Sequence, residues 1–118
     1  MDVRIVKDAG ALAREAAAIV AGIAAQQPNA LILAATGETP IGSYRELARL
    51  RERGVLETSR LRVAQLDEYL GLQQGDPRSL FGWLDRALLE PLEIDAERVI
   101  RFATDHSDAE LAPGAYDI

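Results

Sequence analysis

Apolar positions along this chain follow two alternating patterns: short continuous or β-branched runs, and longer stretches with helical spacing. Val3-Arg4-Ile5-Val6 is a β-branched run that predicts a first strand. Residues 11–26 read as a helix, with Leu12, Ile19, Val20 and Ile23 on its apolar stripe, Ala16 completing it, and Asp8 as N-cap. Gln27-Pro28-Asn29 ends that helix, because proline cannot continue it. Residues 30–35 are continuously apolar, the pattern of a strand buried on both faces in a parallel sheet. The next helix is expected over residues 40–53, with Thr39 as N-cap, Pro40 as first helical residue, a stripe of Ile41, Tyr44, Leu47 and Ala48, and Gly54 just past its end.

Residues 62–66 read as a third strand, with Asp67 at its carboxyl end. A loop over residues 68–75 leads to Asp76-Pro77, read as N-cap and first helical residue. Leu80, Trp83, Leu84, Ala87 and Leu88 then mark one face of a helix that Pro91 stops. Residues 95–98 suit one helical turn before a short fourth strand at 99–102. The tail from Ala103 has weak periodicity and is interrupted by Pro113-Gly114. Strands alternating with helices predict an α/β layered fold with a mainly parallel sheet flanked by helices, forming a single domain over residues 1–118.

Composition narrows the function. The 118 residues are 48% hydrophobic and 27% charged, ordinary for a globular chain and unlike a disordered one. Thirteen Lys and Arg against 19 Asp and Glu give a net charge of −6, which argues against nucleic acid and anionic membranes as partners. The chain has no Cys and one His, so thiolate or multi-histidine metal sites and a Cys nucleophile are excluded. No apolar run reaches the roughly 18 residues of a membrane span, and Met1-Asp2-Val3-Arg4 lacks the start of a signal peptide. A cytoplasmic location is expected.

Two segments could carry chemistry. Thr36-Gly37-Glu38-Thr39-Pro40 joins an apolar strand to a helix N-terminus, where free amides and the positive end of the dipole converge on an anion. Gly37 allows positive φ or close approach, and the Thr36 and Thr39 hydroxyls can donate hydrogen bonds. An ordinary strand–turn–helix with a Thr cap also accounts for this segment. Glu38 counts against the anion: a carboxylate about 6 Å from a phosphate charge costs about 3 kcal/mol at an effective dielectric of about 20, if it points inward. The second segment is Leu66-Asp67-Glu68-Tyr69-Leu70-Gly71-Leu72. Ligands of open parallel sheets bind beyond the strands' carboxyl ends, so Asp67 could be a general base, with Glu68 pointing the other way in extended backbone. A plain acidic loop with Asp67 capping a turn remains open beside it. His106, in Asp105-His106-Ser107, reads as an exposed loop histidine; Arg45, Arg49 and Arg53, with Glu46 and Glu52 nearby, read as a solvated helix face.

Taken together, these segments resemble a known family. Leu33-Ala34-Ala35-Thr36-Gly37-Glu38-Thr39-Pro40-Ile41-Gly42-Ser43-Tyr44-Arg45-Glu46-Leu47 resembles the phosphate-loop segment of glucosamine-6-phosphate deaminases. Gln65-Leu66-Asp67-Glu68-Tyr69-Leu70-Gly71-Leu72 is similar to that family's Asp-Glu-Tyr signature, and Asp76-Pro77-Arg78-Ser79-Leu80 to its His-Pro-x-Ser-Tyr block. The resemblance covers about residues 3–110. The related 6-phosphogluconolactonases share the first loop but usually carry another acidic motif at the second.

The resemblance implies a Rossmann-like fold and conversion of glucosamine 6-phosphate to fructose 6-phosphate and ammonia, with no metal and no organic cofactor. It places Asp67 as the base that takes the C2 proton, and Thr36, Gly37, Glu38 and Thr39 around the sugar phosphate. Departures are Glu38, where the family prefers Gly or Ser, and Asp76 and Leu80 in place of His and Tyr. The family is also longer: its Asp-Gly-His segment, a later Glu, and its phosphate-binding Arg and Lys fall beyond Ile118, and His106 does not match that histidine. The chain thus resembles the N-terminal half of a deaminase domain, expected to be weakly active or inactive alone. The alternatives are a non-catalytic sugar-phosphate binding module able to self-associate, and a 6-phosphogluconolactonase-like hydrolase.

Overall fold

The structure, a computed structural model, describes residues 1–69, 71 and 76–102. Among them the chain runs α1 (Ala9–Gln26), β1 (Leu31–Ala34), α2 (Glu38–Glu52), β2 (Arg62–Gln65), α3 (Leu80–Leu84), a π-helical turn (Asp85–Leu89), a 3₁₀ turn (Ala96–Arg98) and β3 (Val99–Ile100). The three strands form an open parallel sheet in the order β1-β2-β3, with Leu31 opposite Arg62, Ala34 opposite Gln65 and Val63 opposite Val99. The expected α/β architecture of a parallel sheet flanked by helices is therefore present.

The expected first strand at Val3-Arg4-Ile5-Val6 does not form. Those residues join no strand, Val3 and Ile5 are exposed, and Arg4 pairs with Glu15 of α1. A β-branched run becomes a strand only where an edge is beside it to receive its backbone hydrogen bonds; this run lies along α1 instead.

α1 is a helix as expected, and the Asp8 carboxylate caps it by accepting from the Ala11 amide at 2.7 Å. Its buried face differs from the expected one. Ala13, Ala17, Ala21 and Ala24 are buried, whereas Leu12, Ile19 and Ile23 are exposed. Close approach to α2 explains the choice. A Cβ placed on Gly42 of α2 would stand 3.3 Å from the Ala13 Cβ, so the two backbones meet where only small side chains fit.

Burial across the sheet also differs from the sequence reading. The apolar segment at 30–35 yields β1, but Leu33 is exposed there. The deeply buried strand is β2, whose Val63, Ala64 and Gln65 are all inaccessible, because it lies between β1 and β3. Around it Ala17, Ala21, Leu47, Leu61, Leu84, Leu88 and Leu92 complete one core, on which Tyr44 meets Trp83 edge to face at 6.3 Å. The expected turn at 95–98 is the 3₁₀ turn, and the expected strand at 99–102 shortens to Val99–Ile100. His106 and the tail from Ala103 lie outside the described residues.

Candidate functional site

β1 ends in Ala34, and after Ala35 and Thr36 the chain turns at Gly37 into α2. The expected Thr39 cap and Pro40 start are not found: α2 begins at Glu38, and Gly37 is its N-cap with φ 109°. A Cβ at Gly37 would meet nothing within 4 Å, so glycine is required by the backbone angle and not by space. Pro40 falls in the first turn, where its missing N–H costs no helical bond. Gly37 has no side chain to cap this terminus, and among the described residues no side chain accepts from the amides of Glu38 and Thr39. Glu38 and Thr39 are exposed and Thr36 is half-buried.

Tyr44 steadies this turn. Its hydroxyl donates to the Ala35 carbonyl just before Thr36, and burial raises its pKa against the opposing effect of that bond. Helical spacing marks Tyr44 only as a core residue; a buried phenol calls for a partner, and that is the available signal.

β2 ends beside β1. Leu66 donates its amide to the Ala34 carbonyl at 3.1 Å, and two residues beyond the Ala34–Gln65 pair the chains reach Thr36 and Asp67. Adjacent strands lie about 4.8 Å apart, so the turn into α2 and Asp67 leave the same end of the sheet side by side. Asp67 is exposed, and none of the other described residues donates to its carboxylate.

Glu68 reaches back to Gln65, three residues before it, so the chain leaves extended geometry once β2 ends. One carboxylate oxygen accepts from the Leu80 amide at 2.7 Å and the Tyr69 amide at 2.9 Å; the other accepts from the Phe81 amide and the Gln65 side-chain amide, both at 2.8 Å. Burial works to raise its pKa, but these four donors outweigh it and the net shift is downward. Gln65, fully buried, accepts in turn from the Phe102 amide at 3.1 Å.

The start of α3 departs from the expected Asp76-Pro77 cap. Ser79 is the N-cap, with Oγ accepting from the Gly82 amide at 2.9 Å, while Glu68 serves the Leu80 and Phe81 amides. Asp76 instead holds Arg78 through its backbone amide and guanidinium, which lowers the Asp76 carboxyl to about 2. Beyond β3, the Arg101 guanidinium lies 3.5 Å from the centre of the Phe81 ring, with its Nε buried and unpartnered among the described residues. Burial lowers the Arg101 pKa, opposed by the charges of Glu68 and Asp85. Among the described residues no group of three or more His, Asp or Glu side chains is placed to hold a metal ion.

The sequence pattern described as glucosamine-6-phosphate isomerases/6-phosphogluconolactonase matches residues 7–117. The chain belongs to that family. It is 39% identical over 117 residues to a glucosamine-6-phosphate deaminase of Streptomyces coelicolor, covering 99% of this chain and 45% of that protein. The enzyme of the same name from Streptomyces avermitilis is 38% identical over the same shares. A solved monomeric glucosamine-6-phosphate deaminase of the NagB superfamily superposes with a TM-score of 0.90 at 29% identity, over 98% of this chain and 48% of that one. The chain thus spans about half the length of the relatives it matches, corresponding to their N-terminal portion. These relatives carry the deaminase name, and the broader class of hydrolase finds no support in them. No helix among the described residues is long and apolar enough to cross a membrane.

Proposed function

We propose that this chain carries the phosphate loop and the proton-abstracting carboxylate of a glucosamine-6-phosphate deaminase. The observation that supports it most is the shared end of β1 and β2: the uncapped N-terminus of α2 and the exposed Asp67 emerge there from neighbouring strands. In this reading the amides of Glu38 and Thr39 and the hydroxyls of Thr36 and Thr39 hold the sugar phosphate. The helix dipole adds about 0.3–2 kcal/mol. Glu38, exposed, extends its charge into water and leaves the amides to the anion.

Asp67 then faces the other end of the open-chain amino sugar. Its carboxylate takes the C2 proton, and the C–H electron pair becomes the C1=C2 bond of an enolamine as the C1 oxygen gains a proton. Protonation at C1 leaves a C=N bond at C2. Water adds there and ammonia departs, leaving fructose 6-phosphate.

Joining this chain to the second half of the Streptomyces coelicolor relative gives a polypeptide of full family length in which to measure ammonia release from glucosamine 6-phosphate. Asp67→Asn should lower turnover by at least about 100-fold, the low end for a general base, and leave substrate binding intact. Turnover near that of the unsubstituted protein would remove Asp67 from the reaction. A second reading is sugar-phosphate binding without turnover, for which the N-terminus of α2 suffices without Asp67. In that case fructose 6-phosphate raises the melting temperature of the 118-residue chain while ammonia release stays absent even at full length.

A further inference from the structure

We propose that Gln65 and Glu68 act together as the positioning device of Asp67, a latch that fixes the carboxylate's direction by tying the segments that surround it. This rests on the role proposed for Asp67 and extends it to residues that touch no substrate. Asp67 stands between two anchored neighbours. On one side Gln65 is fully buried at the last position of β2, its carbonyl oxygen accepting from the Phe102 amide beyond β3. On the other side Glu68 accepts from the first two amides of α3 and from Tyr69. The 2.8 Å bond between the Gln65 amide and the Glu68 carboxylate closes the bracket across Asp67.

The chemistry of each member fits a latch better than ordinary loop packing. A fully buried glutamine needs both ends of its amide satisfied, and here one end serves β3's exit and the other serves Glu68. A carboxylate accepting four hydrogen bonds is held far more tightly than one in a solvated loop, since bonds to a charged acceptor are about twice as strong as neutral ones. α3 spans five residues before its π turn, and its first-turn amides are shared between Ser79 and Glu68, so its start cannot move without moving Glu68. Arg101, attracted to Glu68 and stacked on Phe81, adds a cation behind the same carboxylate. The outcome is that Asp67 is left exposed, with no bond to its carboxylate from the other described residues, while Gln65 and Glu68 are fixed on either side of it.

The test compares the 118-residue chain with Glu68→Ala and Glu68→Gln by nuclear magnetic resonance. Backbone dipolar couplings at Asp67 report its orientation relative to Val63 and Ala64, and amide exchange at Leu80 and Phe81 reports the latch. In Glu68→Ala the Asp67 couplings should fall by about half or more and the two amides should exchange at least about tenfold faster, with Val63 and Ala64 unchanged, the pattern of local opening and not global unfolding. Glu68→Gln keeps one acceptor oxygen and should restore Asp67 orientation in part, with one of the two amides still slow. It carries the same comparison should the alanine variant not fold. Unchanged Asp67 couplings in both variants would overturn the latch. Fructose 6-phosphate added to the unsubstituted chain separates the two claims: absence of any response at Glu38 and Thr39 counts against the sugar-phosphate reading and leaves the latch standing.

Discussion

Gly37 sits at φ 109°, in the left-handed half of backbone space, with room for a methyl group but not for the strain of carrying one. Gly37→Ala should therefore destabilise the chain by about 1–3 kcal/mol, the range for a non-glycine residue held in such a conformation. Chemical denaturation measures it, and a neutral result would place the turn in another conformation. Glu68 supplies a pH signature. Its folded pKa lies below its ordinary value, so its bonds stabilise the fold above the unfolded value of about 4.3, and that contribution fades as pH falls through and below it. Melting temperature measured from pH 7 down to pH 3 should drop more steeply for the unsubstituted chain than for Glu68→Gln. Identical slopes would mean that the carboxylate charge takes no part. At this scale the sequence was partly legible. Gly37 marked a turn open to positive φ, whereas the expected alternation of Asp67 and Glu68 presumed extended backbone that ends at Gln65, since Gln65 and Glu68 bond across three residues. The four donors on Glu68 come from Gln65, Tyr69, Leu80 and Phe81, and a contact between residues 12 or 13 positions apart leaves no periodic trace.

Elements followed the same division. Local signals placed α1, β1, α2, β2 and the turn before β3 close to where they lie, because caps, prolines and apolar runs act over a few residues. What failed was the choice of buried face. The larger apolar residues of α1 were the expected core stripe, yet Ala13, Ala17, Ala21 and Ala24 are the ones buried. Helical spacing fits either set, and the choice between them belongs to Gly42 on α2, which admits only a thin helix face. The consequence is testable by contrast. Ile19→Ser should cost no more than about 0.5 kcal/mol, as for a surface change, whereas Ala17→Leu should cost about 1–3 kcal/mol through overpacking. The reverse order in thermal melts would show that α1 buries its larger residues after all. The Val3-Arg4-Ile5-Val6 run makes the same point for strands, since composition alone cannot supply the neighbour that a strand needs.

Across the whole molecule, the open sheet gathers the chemistry-bearing turns at one end, and this follows from topology. Parallel strands joined by helices put every strand's carboxyl end on the same side. That placement was readable from the alternation of elements, whereas the exposure of Leu33 on β1 and of Leu12 and Ile23 on α1 was not. If a sugar phosphate bridges the start of α2 and Asp67, both places respond to it together. The most direct measurement is a titration of the isotopically labelled 118-residue chain with fructose 6-phosphate, read residue by residue. Saturable shifts are expected at Gly37, Glu38, Thr39 and Asp67 with one shared dissociation constant, and the response at all four should be lost in Gly37→Ala. Shifts at the α2 turn without any at Asp67, or at neither, would contradict the bridge.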